Sequence, residues 1–301
     1  MPATQSVMTT RRGQFRDIYR KLKRKGFLEH TPVIFCEGDS WFSTPLSMNL
    51  LDWLVFPTPE DEARGVPLLG AGGLFFRAEE SGDTAKNIFT TGNIRDLRDW
   101  YDGFEFDLVL LSAGGNDFVG DFLKRLFAGK GPMSVAQAFR LVSDSGRFEQ
   151  VVAGYRRFIT AFRKVRPQVP ILGHTYDYSV LMGQPANLTL ANIGAVAILK
   201  KDVGPWIGPH IQTALPRRED QCAFARLLID GFEARVLRTL KNDPALGGAF
   251  DYVDLRGTLA AMDQWFDEMH PTGASFHTLS ARFGAAIHER LPAAKRRPPP
   301  G

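Results

Sequence analysis

The residues best suited to chemistry are a serine, an asparagine and an aspartate–histidine pair that lie far apart in the chain. Ser40 stands in the string Gly-Asp-Ser-Trp after an apolar run, and Asn116 stands in Gly-Gly-Asn-Asp after a second one. Asp267 and His270 form an Asp-x-x-His-Pro string near the C-terminus. A serine hydroxyl needs a base to become a nucleophile, and N–H donors can stabilise the negative charge that develops. These residue types therefore indicate acyl transfer.

Each of these residues has a predicted role and a simpler alternative. Ser40 is the predicted nucleophile, although a serine after a strand also commonly caps a helix. His270 is the predicted base, and Asp267 is spaced to orient its ring and stabilise the imidazolium; the alternative is an ordinary Asp/His pair on a surface loop. Asn116 and the backbone N–H of Ser40 are predicted oxyanion donors, although asparagine after two glycines is also a common turn residue.

Four blocks of sequence, at 38–41, 81–84, 114–117 and 267–271, resemble in their order along the chain the SGNH hydrolases, also called GDSL esterases and lipases. The second of these blocks, the Ser-Gly-Asp-Thr string at 81–84, is similar to the family block whose glycine, here Gly82, lends a backbone N–H to the oxyanion. The resemblance covers residues 38–271 and departs from the family pattern at Trp41 and at the two glutamates before the string at 81–84. It implies an α/β fold, a three-layer α/β/α sandwich with a mainly parallel, five-stranded, flavodoxin-like sheet. It also implies a Ser-His-Asp triad with an acyl-enzyme intermediate.

Other histidines and acidic residues are weaker candidates for the site. His174 ends a predicted strand with Asp177 three residues later, and His277 lies in a predicted helix with no acid three residues earlier. We predict no metal, because the sequence contains neither an H-E-x-x-H string nor a cysteine pair at zinc-ligand spacing. We also predict no cofactor, because the glycine-rich string at 70–73 lacks the lysine of a phosphate loop.

The elements that must position these residues alternate between strands and helices. The hydrophobic pattern predicts strands at 32–37, 74–78, 106–112, 169–174 and 250–255, and helices at 13–28, 47–55, 150–166, 219–241 and 274–290. Such alternation is typical of a parallel sheet covered on both faces, where ligands bind at the carboxyl ends of the strands. Ser40, Asn116 and His270 are therefore expected at one edge of the sheet.

We divide the chain into three parts. These are a basic N-terminal segment or helix at 1–30, the hydrolase domain at 31–292, and a tail at 293–301 that is expected to be disordered. Residues 1–10 are polar and are also expected to be disordered.

Two segments that leave the catalytic edge, 118–149 and 177–218, are predicted to be cap insertions. They are rich in apolar side chains, which suit an acyl chain or lipid, although the same side chains could simply pack a subdomain. Trp41, Leu181 and Trp206 are the predicted substrate contacts. The predicted function is cleavage of esters with apolar or lipid-like acyl groups. The alternatives are a carbohydrate O-deacetylase and a catalytically silent binding protein of the same fold.

Composition limits the other classes of function. The 301 residues are 44% hydrophobic and 23% charged, with a net charge of +4, which is ordinary for a globular protein. Eight basic residues against one acid lie between Arg11 and Lys25. This excess suits weak contact with an anionic membrane surface, or simply a solvated helix face, and no nucleic-acid partner is expected. No signal peptide or membrane span is predicted, so we expect a cytoplasmic protein, with leaderless export left open. The sequence does not predict the oligomeric state.

Overall fold

One parallel sheet organises the chain. The computed structural model describes residues 6–44, 47–56, 72–78, 84–184 and 205–296. Six strands form the sheet in this part of the chain. They are β1 (Val7–Thr9), β2 (Val33–Gly38), β3 (Leu74–Arg77), β4 (Leu108–Ser112), β5 (Ile171–His174) and β6 (Phe250–Val253).

The strand order places the predicted site at the middle of the sheet. The order is β1-β3-β2-β4-β5-β6, and all neighbouring pairs are parallel. The five strands β2 to β6 have the predicted flavodoxin-like order, in which the chain reverses direction across the sheet between β2 and β4. Ligands bind at the carboxyl ends of strands at such a switch point. Ser40 and Asn116 follow these two strands, and Gly38 pairs with Ser112 at their ends.

The sheet has one strand more than the predicted five. β1 falls within residues 1–10, which were expected to be disordered. The N–H of Val7 donates to the carbonyl of Gly73 at 2.8 Å, and the N–H of Gly73 donates to Ser6 Oγ at 3.0 Å. The unpaired edge of β3 offers hydrogen-bonding groups to a neighbouring segment. Pairing with the edge of β3 therefore orders β1. Composition alone does not indicate this pairing.

Helices surround the sheet. They are α1 (Arg12–Arg24), α2 (Ser40–Ser43), α3 (Leu50–Val55), α4 (Ala85–Ile88), α5 (Thr91–Asp102), α6 (Asp121–Phe127), α7 (Val135–Asp144), α8 (Arg147–Val165), α9 (Gly208–Ile211), α10 (Arg218–Phe232), α11 (Arg238–Lys241) and α12 (Gly273–Arg290). Every residue of β2 and β4 is buried, as expected when helices cover both faces of a parallel sheet. α12 packs on α3, and α5 packs on α8.

The basic N-terminal helix is anchored by its apolar side. Phe15 and Tyr19 of α1 are buried, and the Phe15 ring stacks on Phe106 at 5.5 Å between centroids. Contact of the basic side chains with an anionic membrane stays a prediction. No helix in the described part of the chain is long and apolar enough to cross a membrane.

The beginning of the C-terminal tail is ordered, contrary to the prediction for 293–301. Ala293–Lys295 forms a 3₁₀ turn, and Lys295 Nζ lies 2.7 Å from Asp107 Oδ2. Both side chains are largely buried, at 12% and 11% exposure. This ion pair between distant residues holds the turn against the domain. Residues 297–301 lie outside the described residues.

Candidate active site

The predicted nucleophile stands on a sharp strand-to-helix connection. β2 ends at Gly38, where an added Cβ would lie only 2.6 Å from the carbonyl oxygen of Ser112, so glycine permits the close approach of β2 and β4. Asp39 caps α2 by accepting the N–H of Trp41 at 3.1 Å. Ser40 is the first residue of α2, where backbone N–H groups have no acceptor within the helix. Its N–H is therefore available to another acceptor.

The structure brings Ser40, His270 and Asp267 together. Ser40 Oγ lies 2.7 Å from His270 Nε2, although the residues are 230 positions apart. His270 Nδ1 lies 2.9 Å from each carboxylate oxygen of Asp267. The same carboxylate accepts the N–H groups of Met269 at 2.7 Å and His270 at 2.8 Å. The geometry is that of a serine whose proton can pass to a histidine held by a carboxylate.

The charges around His270 raise the pKa of its imidazole. Burial alone would lower the pKa of His270, but the charges of Asp267 and Asp39 outweigh it and raise that pKa. Burial alone would raise the pKa of Asp267, but the charge of His270 and the hydrogen bonds to the carboxylate lower it. Asp267 is therefore ionised near neutrality and stabilises the protonated form of His270.

The base loop, residues 265–271, is held by contacts that the sequence did not reveal. An antiparallel bridge between Trp265 and Pro271 closes it. Glu268, which is 1% exposed, accepts the N–H groups of Gly183 at 2.7 Å and Gly208 at 2.9 Å, and also that of Ile207. The only signal in the sequence was an acidic residue inside the Asp-x-x-His string.

Trp41 supports the base loop and is not a wall of the cavity described below. It was predicted to contact substrate, but it is 2% exposed. Its Nε1–H donates to the carbonyl of Met269 at 3.1 Å, and its ring stacks on His174 at 5.4 Å between centroids. The indole next to the predicted nucleophile therefore holds the loop that carries His270.

Asn116 lies in the asparagine turn, the 3₁₀ turn Gly115–Phe118 that follows β4. The turn begins after Gly114, whose φ of 110° is a conformation that favours glycine. Asn116 is half-buried at the same strand edge as Ser40. Asp117 accepts the N–H of Ala85 at 2.6 Å, and burial raises the pKa of Asp117 to about 6. The other predicted oxyanion donor, Gly82, lies outside the described residues.

The two weaker base candidates are packing residues. His174 is 3% exposed, and burial lowers its pKa to about 4, so its ring is neutral near pH 7. Its Nδ1 lies 2.9 Å from the carbonyl of Thr175. His277 lies in α12, and its ring is 4.7 Å from that of Trp53.

A small apolar cavity of about 60 Å³ lies between the base loop and the asparagine turn. Its wall includes Gly115, Phe118, Tyr176, Met182, Ile207, Leu228, Phe232, Trp265 and Met269. Both predicted cap segments contribute to this wall. The predicted contacts Leu181 and Trp206 are not part of it, and their chain neighbours Met182 and Ile207 are. Residues 185–204 of the second cap segment lie outside the described residues.

Within the described ranges, no group of three or more His, Cys, Asp or Glu side chains could hold a metal ion.

Comparison with known proteins gives a likeness of structure only. No protein-family model and no curated protein sequence matches the chain. An extracellular lipase from Streptomyces rimosus is 13% identical, with a TM-score of 0.48, over 87% of this chain and all of that one (100%). A carbohydrate esterase family 3 protein from Talaromyces cellulolyticus is 11% identical, with a TM-score of 0.46, over 86% and 97%. Phospholipase A1 from Streptomyces albidoflavus is 14% identical, with a TM-score of 0.44, over 87% and 100%. The solved structures to which this chain is similar also include proteins described as putative GDSL-like lipases.

Proposed function

We propose that the protein is a serine hydrolase of the SGNH type that cleaves carboxylic esters. The observation that carries this proposal is the continuous chain of contacts from Ser40 Oγ through His270 to Asp267, at 2.7 Å and 2.9 Å. A buried serine, a basic imidazole and an ionised carboxylate in this order match the parts that acyl transfer requires.

In the proposed reaction, Ser40 Oγ attacks the ester carbonyl carbon while His270 Nε2 takes the hydroxyl proton. The carbonyl oxygen becomes negatively charged and is stabilised by the N–H of Ser40, the amide of Asn116 and the N–H of Gly82. The intermediate then collapses to an acyl-enzyme, and His270 returns the proton to the departing alcohol. In the second half of the reaction His270 takes a proton from a water molecule that attacks the acyl carbon, the bond from that carbon to Ser40 Oγ breaks, and His270 returns the proton to Ser40 as the acid leaves.

The lining and the size of the cavity favour a substrate with a short, apolar acyl group. Its wall is formed largely by aromatic and aliphatic side chains, and it adjoins both the base loop and the asparagine turn. At roughly 10–15 Å³ for each enclosed water, a cavity of about 60 Å³ holds only a few heavy atoms. This size also favours the second candidate, an O-deacetylase, because an acetyl group would fit.

The test is covalent labelling combined with a substrate series. A fluorophosphonate should label the folded protein at Ser40, and p-nitrophenyl esters should be hydrolysed. Comparison of these esters, from acetyl to longer chains, with acetylated sugars would separate the two candidates. A folded protein that neither reacts with the probe nor cleaves any of these esters would instead be a binding protein of the same fold.

The pH dependence of hydrolysis is expected to follow His270, which must be neutral to accept the serine proton. The charges of Asp267 and Asp39 raise the pKa of His270 despite the opposing effect of its burial. Activity should therefore be low in mild acid, rise as the pH passes through this raised pKa, and reach a plateau in mild base. The measurement is kcat/KM against pH, repeated with a chelator. Activity that falls with rising pH, or that disappears in the chelator, would contradict His270 as the base.

The cavity wall is expected to set acyl-chain preference. Met182→Ala should enlarge the cavity and shift relative kcat/KM towards longer acyl chains by about 1–3 kcal/mol, as is typical of an apolar pocket contact. Leu181→Ala is the matched control, since Leu181 is a buried neighbour that does not line the cavity. The measurement is kcat/KM over the p-nitrophenyl series. Equal shifts in the two variants would argue against this cavity as the acyl site.

A further inference from the structure

Tyr176 connects two loops of the site and belongs to neither the proposed triad nor the proposed oxyanion donors. It follows β5 by two residues and is 6% exposed. Its hydroxyl donates a hydrogen bond to Asp39 Oδ2 at 2.5 Å and accepts one from the N–H of Gly115 at 3.0 Å. Asp39 directly precedes Ser40, and Gly115 directly precedes Asn116. A single oxygen atom therefore forms a bridge between Asp39, at the end of β2, and the asparagine turn.

We propose that Tyr176 is a positioning residue that fixes the spacing between the nucleophile Ser40 and the oxyanion donor Asn116. This inference rests on the proposed ester hydrolysis and adds a residue that neither the motifs nor the triad geometry includes.

The ring of Tyr176 is held firmly enough to fix its hydroxyl. The rings of Trp41 and Phe232 lie 5.1 Å and 5.5 Å from it between centroids. On another side, a Cβ added at Gly115 would lie 2.7 Å from the ring carbon Cζ, so the backbone of the asparagine turn rests directly on the ring. Packing and hydrogen bonding therefore act on the same two loops.

The Asp39 end of the bridge is also fixed. Ser112 Oγ donates to Asp39 Oδ1 at 2.8 Å, and the N–H of Trp41 donates to the same oxygen at 3.1 Å. Asp39 is 1% exposed, and burial raises the pKa of its carboxyl against the effect of these hydrogen bonds and that of Tyr176. Through Asp39, Tyr176 thus connects the ends of β2, β4 and β5.

This spacing matters more for the transition state than for substrate binding. The oxyanion donors must meet an oxygen that becomes charged only when Ser40 has attacked. A misplacement of about 1 Å in such a group can cost roughly 100-fold in rate. The apolar acyl group contacts the cavity wall in both states, so loss of the bridge is expected to lower kcat and to leave KM nearly unchanged.

The direct test is Tyr176→Phe, which removes one oxygen and keeps the ring in the cavity wall. With p-nitrophenyl acetate, kcat should fall by about 10- to 100-fold, and KM should stay within about twofold. Tyr155→Phe is the matched control, since Tyr155 is 1% exposed and its hydroxyl donates to the carbonyl of Ala113 at 2.7 Å. Both variants lose one buried hydroxyl and should melt at lower temperature, but the control should keep its kcat.

A folded Tyr176→Phe protein with the same kcat as Tyr155→Phe would overturn the proposal. If Tyr176→Phe does not fold, Gly115→Ala provides a second test, because its methyl group would push the asparagine turn away from the Tyr176 ring. The expected result is again a lower kcat at similar KM, and a wild-type kcat would overturn the proposal. Wild-type protein that cleaves no ester would contradict the proposed function itself, so the two failures are distinguishable.

Discussion

Ser40→Ala is expected to abolish ester hydrolysis and fluorophosphonate labelling while the fold is kept. The variant removes the Oγ atom that lies 2.7 Å from His270 Nε2, and alanine is well suited to the first turn of α2. Loss of a serine nucleophile costs about 10⁴- to 10⁶-fold in kcat in enzymes of this chemistry. The measurements are kcat with p-nitrophenyl acetate, labelling by the probe, and the melting temperature.

Ser43→Ala is the matched control for this experiment. Ser43 lies in the same helix, and its hydroxyl donates to the carbonyl of Asp39 at 3.2 Å. Because its hydroxyl contacts neither the proposed triad nor the proposed oxyanion donors, its loss should change kcat by no more than about twofold. Normal turnover by a folded Ser40→Ala protein would contradict the proposed mechanism as a whole.

His270→Ala is expected to lose as much activity as Ser40→Ala, and Asp267→Asn less. Without the imidazole no group takes the serine proton, so kcat should fall by about 10⁶-fold, against about 10⁴-fold for Asp267→Asn. In the asparagine variant, the amide oxygen can still accept the N–H groups of Met269 and His270 that now bind the carboxylate. The loop is therefore kept, but the amide no longer supplies the charge that stabilises the imidazolium.

Asp263→Asn is the control for the aspartate, because Asp263 is an exposed acid a few residues earlier in the chain. It should keep its kcat within about twofold, as surface substitutions usually do. Single-turnover rates on the three variants give the order directly. Near-normal kcat in His270→Ala, or a greater loss in Asp267→Asn than in His270→Ala, would contradict the assigned roles.

The sequence by itself determined the sheet and the edge at which the site lies. Short apolar runs ended by turn residues predicted buried parallel strands, whereas the flavodoxin-like order was implied by the resemblance to the SGNH hydrolases. Because parallel strands end at one edge, the turns carrying Ser40 and Asn116 had to meet there. These inferences succeeded because hydrophobic periodicity and turn chemistry are local properties of the chain.

Only the tertiary structure decided which residues outside the motifs support the site. Tyr176 and Glu268 bind backbone or side-chain partners far away in the sequence, and the place of Glu268 inside the Asp-x-x-His string is the only local mark of either residue. Trp41 was expected at the substrate because it follows the predicted nucleophile, yet its indole N–H binds the base loop. A hydrogen bond between distant segments depends on how whole elements pack, which periodicity does not encode.

The chain ends show the same limit. β1 is only three residues long and the tail is basic, so neither shows the extended apolar pattern of an ordered segment. β1 is ordered by the unpaired edge of β3, and the tail by the ion pair between Lys295 and Asp107. The edge of β3 and the carboxylate of Asp107 come within reach of these segments only after the sheet has formed. Composition therefore predicted disorder, although the folded domain supplies hydrogen-bonding groups to one segment and an opposite charge to the other.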